Sequence, residues 1–222
     1  MVKKVLVILI CVPLLFGSYT AASSVEVGED VKAFLTKLEK TISSMNTYRC
    51  IMKSENWKGR LYERKVSRLQ FKKPNLMRLD VLEGRKRGST VLLNKEGKIR
   101  GRNSWGLKKT LKPTDKRLKN LRGYTFLNSS LMDKVDRLKR HILETGCRAS
   151  LTEEEYDNKD TYRLHIDHVD TDNAVTTEDI WFEKATYIIL KDIKQEGDKK
   201  VSDVSWRDFE IDIPLDDSLF KQ

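Results

Sequence analysis

Between positions 29 and 45, Val31, Phe34, Leu35, Leu38, Ile42 and Met45 recur at the spacing of one helical face, with charges between them. Asp30 falls in the first turn, where a carboxylate faces the positive end of the helix. The pattern then changes to short alternating runs at 48–54, 60–72, 76–82 and 89–94, and a Glu96-Gly97-Lys98 turn leads into another at 99–102. This spacing predicts a β-meander in which each strand pairs with the next. A second helix is predicted over 130–142, with Leu131, Val135, Leu138 and Ile142 as its apolar stripe on a basic body of Lys134, Arg137, Lys139 and Arg140; Gly146 marks its end. Alternation returns at 149–155, 162–169, 174–183, 188–196 and 200–213. Turns at Asp157-Asn158-Lys159, Asp170-Thr171-Asp172-Asn173 and Glu196-Gly197-Asp198 separate these runs. Nine or ten strands, two helices and no internal repeat predict an α+β fold, a strongly curved antiparallel sheet with helices on its concave face.

The N-terminus sets the expected compartment. Lys3 and Lys4 precede an apolar run over 5–16, then small and polar residues with Thr20-Ala21-Ala22 as a cleavage site. That is the pattern of a secretory signal peptide over 1–22, its apolar run too short to span a bilayer. Ile10 before Cys11 does not suit lipidation, so the expected product is a soluble exported protein, residues 23–222, folded as a single domain. Processing loses only Lys3 and Lys4 and takes the formal charge from +10 to +8. With 39% hydrophobic and 34% charged residues the chain is polar but has enough apolar content for a core. A basic surface favours anionic partners such as lipid headgroups or acidic proteins, and export makes nucleic acid the least suitable of them.

Candidate chemistry is sparse. Cys50 and Cys147 survive processing and form a disulfide candidate in an oxidising compartment. Their bond would close a loop of roughly 100 residues, worth about 4–5 kcal/mol in the chain-entropy picture; two buried free thiols are the alternative. The only histidines are His141, His165 and His168. His165 and His168 stand three apart on a predicted strand and point to opposite faces, so they do not ligate one metal together. Asp170, Asp172 and Asn173 lack the Gly and distal Glu of a calcium loop, and Glu153-Glu154-Glu155 has no identifiable partner. With no phosphate loop, nucleophile elbow or zinc signature, no catalytic residue, metal site or cofactor is predicted. Asn128-Ser129-Ser130 is formally a glycosylation sequon.

The segment Phe71-Lys72-Lys73-Pro74-Asn75-Leu76-Met77-Arg78-Leu79 resembles the corner motif of the periplasmic outer-membrane lipoprotein carriers (the LolA-like and LolB-like family). The order around it, signal peptide, helix, first strand and corner, is similar too, as are the closing strands around Ile180-Trp181-Phe182-Glu183, 188–193 and 209–220. The resemblance implies a half-open β-barrel with a helical lid enclosing a cavity for acyl chains. It also implies that Lys73, where better-studied members carry Arg, holds the lid through its backbone carbonyls. A Lys lacks the planar fork, so such a latch is looser. After Gly97 the chain departs from the family, with Lys98-Ile99-Arg100-Gly101-Arg102 in place of an aromatic-rich strand.

Leu69 and Phe71 share one strand face, Met77, Leu79 and Val81 share another, and Leu131, Val135 and Leu138 are expected to close over them. From the residues alone these eight read as an ordinary filled core; the resemblance turns them into a cavity lining. Residues 101–123 carry eight Lys and Arg against the single Asp115, and are either a docking face for anionic groups or a solvated loop. The expected function is that of a monomeric periplasmic carrier. It would bind lipoprotein acyl chains or another lipid, exchange it with inner- or outer-membrane partner proteins, and act without catalysis or nucleic acid. An envelope sensor on the same scaffold is the alternative, and a hydrolase hidden in the cavity the reading from another class.

Overall fold

A computed structural model describes residues 27–145, 147–168 and 174–221. The predicted signal peptide, Gly146 and the turn at Asp170-Thr171-Asp172-Asn173 lie outside the described residues. The chain opens with helix α1 (Glu29–Ser44) and runs through β1 (Thr47–Lys58), β2 (Leu61–Lys72), β3 (Leu76–Gly84), β4 (Thr90–Leu93), β5 (Ile99–Arg102) and β6 (Lys108–Leu111). Two single 3₁₀ turns lead to helix α2 (Leu131–Lys139), which ends in a π-turn, Arg140–Glu144. Then come β7 (Arg148–Tyr156), β8 (Lys159–Asp167), β9 (Thr177–Glu183), β10 (Ile189–Glu196) and β11 (Lys199–Ile211).

All eleven strands form one antiparallel sheet, in the order β6-β5-β4-β3-β2-β1-β11-β10-β9-β8-β7. Two meanders are thus joined where β1 pairs with β11, and β6 and β7 remain the free edges of an open, curved barrel. Register shifts in the β1–β11, β10–β11, β9–β10 and β2–β3 pairs mark bulges, which increase the local twist and help the sheet curl. Positive φ recurs along the chain, and its cause is plain at two places. Asp157 and Asn158 both have positive φ, as a two-residue hairpin between β7 and β8 demands. Gly84 has φ +103°, and a Cβ there would meet the Arg64 carbonyl at 2.4 Å.

The α1 stripe is buried as its spacing predicts, and Phe34 packs edge-on against Tyr162 and Phe182 of β8 and β9. On the inner face Leu69 stands opposite Leu79, and Phe71 opposite Met77. Tyr48 stacks on Phe71 and accepts a hydrogen bond from the Leu131 backbone N–H at 3.0 Å. One of the orphan donors at the N-terminus of α2 is thereby paired inside the core. Ser130 caps the same helix, its Oγ accepting from the Asp133 N–H.

Two expectations need correction. Cys50 and Cys147 are separate buried free thiols. Cys50 sits opposite Leu69 in the middle of the sheet, whereas Cys147 precedes edge strand β7, five strands further along the sheet order. The basic segment 101–123 is not a bare loop. It contributes the end of β5, all of β6 and a 3₁₀ turn capped by Asp115.

Candidate functional site

The lysine pair of the Lys-Lys-Pro-Asn corner divides its work by alternation. Lys72 donates to the Leu215 carbonyl at 2.8 Å and pairs with Asp217, tying down the C-terminal segment whose Leu215 and Phe220 pack with Leu76. Lys73, one residue on, turns the other way. Its Nζ donates to the Ser43 carbonyl at the C-terminal end of α1, and its backbone N–H to the Asn46 carbonyl. A cation at that end of a helix meets both an unpaired carbonyl and the negative pole of the helix dipole.

A cavity of about 800 Å³ opens between the inner face of the sheet and the segment 117–131, reaching from β6 across to β10. Met52, Leu79, Val81, Val91, Phe126, Leu131, Ile189, Val204 and Trp206 give it a mainly apolar lining. Of the residues expected to line a cavity, Leu79, Val81 and Leu131 do so. Leu69, Phe71, Met77, Val135 and Leu138 are instead packed into the main core, Leu69 and Leu138 with no exposure at all. The inner face is therefore filled under the helices and open beside them.

Charge around the cavity is lopsided. Twelve Lys and Arg line it against Glu63 and Asp192. Among the described residues Lys65, Arg85, Lys108, Lys109 and Lys119 make no salt bridge. Lys65 is half-buried in β2, and desolvation with repulsion from Lys86 lowers its ammonium from the usual lysine range. Asp115, which shares the basic segment, is already engaged by Arg117.

A second charged group lies at the far wall. Glu178 is fully buried and is met by Lys134 at 2.8 Å, by both guanidinium nitrogens of Arg137, and by Lys194. Lys134 also pairs with Asp192. Three cations thus share two carboxylates. Burial alone would push the Glu178 carboxyl up, but the charges of Arg137, Lys134 and Lys194 outweigh it and hold the group well below the usual carboxylate range. Burial, reinforced by repulsion from Arg137, lowers Lys194 to about 8.

The structure also gathers His141, Cys147 and His168, which no sequence pattern linked; one ligand atom from each lies within 4.8 Å of the others. His165, as its strand position implies, faces away and bonds Asp179 at 2.8 Å. At the opposite end of the cavity the β5–β6 hairpin exposes Trp105 (86%) and Leu107 (68%) beside Arg102, Lys108 and Lys109.

No protein-family model matches the chain, and no curated protein does. Solved structures do. An uncharacterized conserved protein from Thermus thermophilus is 12% identical over 87% of this chain and 94% of its own, with a TM-score of 0.56, and shares the fold. A LolA superfamily protein from Nitrosomonas europaea is 12% identical over 86% of this chain and 97% of its own, with a TM-score of 0.42. The MucA/MucB complex of Pseudomonas aeruginosa is 12% identical over 86% of this chain and 60% of the matched one, with a TM-score of 0.45. The likeness to the Thermus protein is one of fold alone. Among the described residues no helix is long and apolar enough to cross a membrane.

Proposed function

We propose that this chain is a non-catalytic periplasmic carrier, a divergent LolA-like protein whose cargo is an amphiphile with an acyl tail and an anionic head. The observation that carries the reading is the cavity: about 800 Å³ with a mainly apolar lining, and a rim where Lys65, Arg85, Lys108, Lys109 and Lys119 make no salt bridge among the described residues. Burying an acyl chain is worth about 0.8 kcal/mol per methylene, so ten buried methylenes give a useful affinity without any covalent chemistry. The basic rim supplies orientation, holding the head at the mouth while the tail enters. Lys73 supports the same reading in the role the corner resemblance implies, since it reaches the backbone of α1 with one donor rather than a fork. Trp105 and Leu107, collared by lysine and arginine, suit brief contact with an anionic bilayer during loading or delivery.

Titration of the chain with an environment-sensitive fluorescent fatty acid tests the proposal. Saturable binding at one site, displaced by an anionic lysophospholipid and poorly by a neutral detergent of equal chain length, is the expected result. No saturable signal, or equal displacement by both, contradicts it.

A further inference from the structure

His141, Cys147 and His168 come from three elements and share no sequence motif. His141 lies in the π-turn that ends α2, Cys147 just before β7, and His168 just after β8. The two imidazole rings meet edge to face with centroids 4.9 Å apart, and Cys147 Sγ stands 4.0 Å from His141 Nδ1. We propose that these three side chains bind a thiophilic divalent ion of the zinc type, with solvent completing the coordination. Borderline-soft ions take this combination of thiolate and imidazole in tetrahedral sites.

Geometry and environment both favour ligation. In a tetrahedral site the ligand atoms stand roughly 3.4–3.6 Å apart, so small side-chain rotations close the present cluster around an ion. The His168 side chain is only 4% exposed, and its Nδ1 makes no hydrogen bond. A buried ring nitrogen left unpartnered is costly, and an ion at Nδ1 removes that cost. Its Nε2 stands 3.3 Å from the buried Glu178 carboxylate, the arrangement by which a carboxylate fixes the ring of a metal-binding histidine. Burial, with repulsion from the neighbouring His168 and Arg137, lowers the His141 imidazole from its ordinary value. Cys147 is buried, with Thr145 Oγ1 3.1 Å from its sulfur. Binding converts its thiol to a thiolate, the proton leaving to solvent, and that negative charge with Glu178 offsets the ion against Arg137 and Lys194.

Titration of the reduced full-length chain with cobalt(II) alone tests the proposal. One equivalent is expected to give a sulfur-to-cobalt charge-transfer band in the near ultraviolet, which zinc then abolishes by displacement. Cys147→Ser removes the band, while Cys11→Ser and Cys50→Ser keep it. His141→Ala, at a partly exposed position that the fold tolerates, weakens binding roughly tenfold or more while circular dichroism stays unchanged. The inference is overturned if the unsubstituted chain gives no thiolate band, if the band survives Cys147→Ser, or if a folded His141→Ala variant binds cobalt as tightly as its parent.

Discussion

Glu178 is shut away from solvent with three cations within reach, so its charge is what makes those cations tolerable on the inner face of the sheet. Replacing it with Gln leaves buried positive charge uncompensated. Glu178→Gln is expected to lower stability by about 3–5 kcal/mol in denaturant unfolding, and a loss below about 1 kcal/mol contradicts this account. Lys194 gives a pH signature. Its folded pKa of about 8 lies below the ordinary lysine value of 10.5, so between these limits the unfolded chain binds more protons. Stability therefore rises as pH increases through that window, while the wall of the cavity loses a positive charge and the affinity for an anionic amphiphile falls. An affinity that is flat from pH 7 to 9.5 in fluorophore titration contradicts the role of this wall. Neither group was legible in the sequence. Lys134 and Arg137 read as part of the basic body of α2, and no sequence pattern singles out Glu178. Burying them takes partners from other elements, which local periodicity does not reveal. The corner at 72–75 was legible because Lys-Lys-Pro-Asn breaks two strand-like runs and matches a family motif.

At the scale of elements, α2 is held at its N-terminus by the Tyr48 hydroxyl and beside α1 by the Lys139–Glu39 pair. Tyr48→Phe keeps the ring stack on Phe71 but leaves the Leu131 N–H unpaired in the core. It is expected to cost about 1–3 kcal/mol and to raise hydrogen exchange at the start of α2; unchanged exchange there contradicts the assignment. Lys73→Leu acts on α1 from an exposed position, so a change of no more than about 1.5 kcal/mol is expected, with faster release of bound fluorophore in stopped-flow displacement. Unchanged release refutes the latch. Helix and strand signals located both helices and ten strands to within a few residues. Strand β6 escaped because Lys108-Lys109-Thr110-Leu111 offers a single buried apolar position, Leu111, and is held by pairing to β5 rather than by its own pattern. The cluster of His141, Cys147 and His168 escaped for a related reason, since only the return of β8 beside the π-turn brings residues so far apart in sequence together.

For the whole molecule, the sequence left a filled core and a ligand cavity as alternatives, and the sheet is wide enough to hold both. Helices fill the inner face over Leu69, Phe71 and Met77, and the cavity begins where helical cover gives way to the segment 117–131. No periodicity distinguishes these two halves, because both present the same apolar strand face; what differs is the element lying above. The exposed hairpin tip belongs to this scale too. Trp105→Ala with Leu107→Ala is expected to reduce sedimentation with vesicles containing phosphatidylglycerol and to leave fluorophore binding unchanged. Equal sedimentation of the double variant and its parent contradicts a role at the bilayer. The most direct test of the carrier reading is native mass spectrometry and lipid extraction of the chain purified, without detergent, from the cells that make it. The account predicts one acyl-bearing anionic amphiphile per chain, lost when salt and neutral detergent are raised together. A lipid-free chain that also takes up no anionic amphiphile when offered one would contradict it.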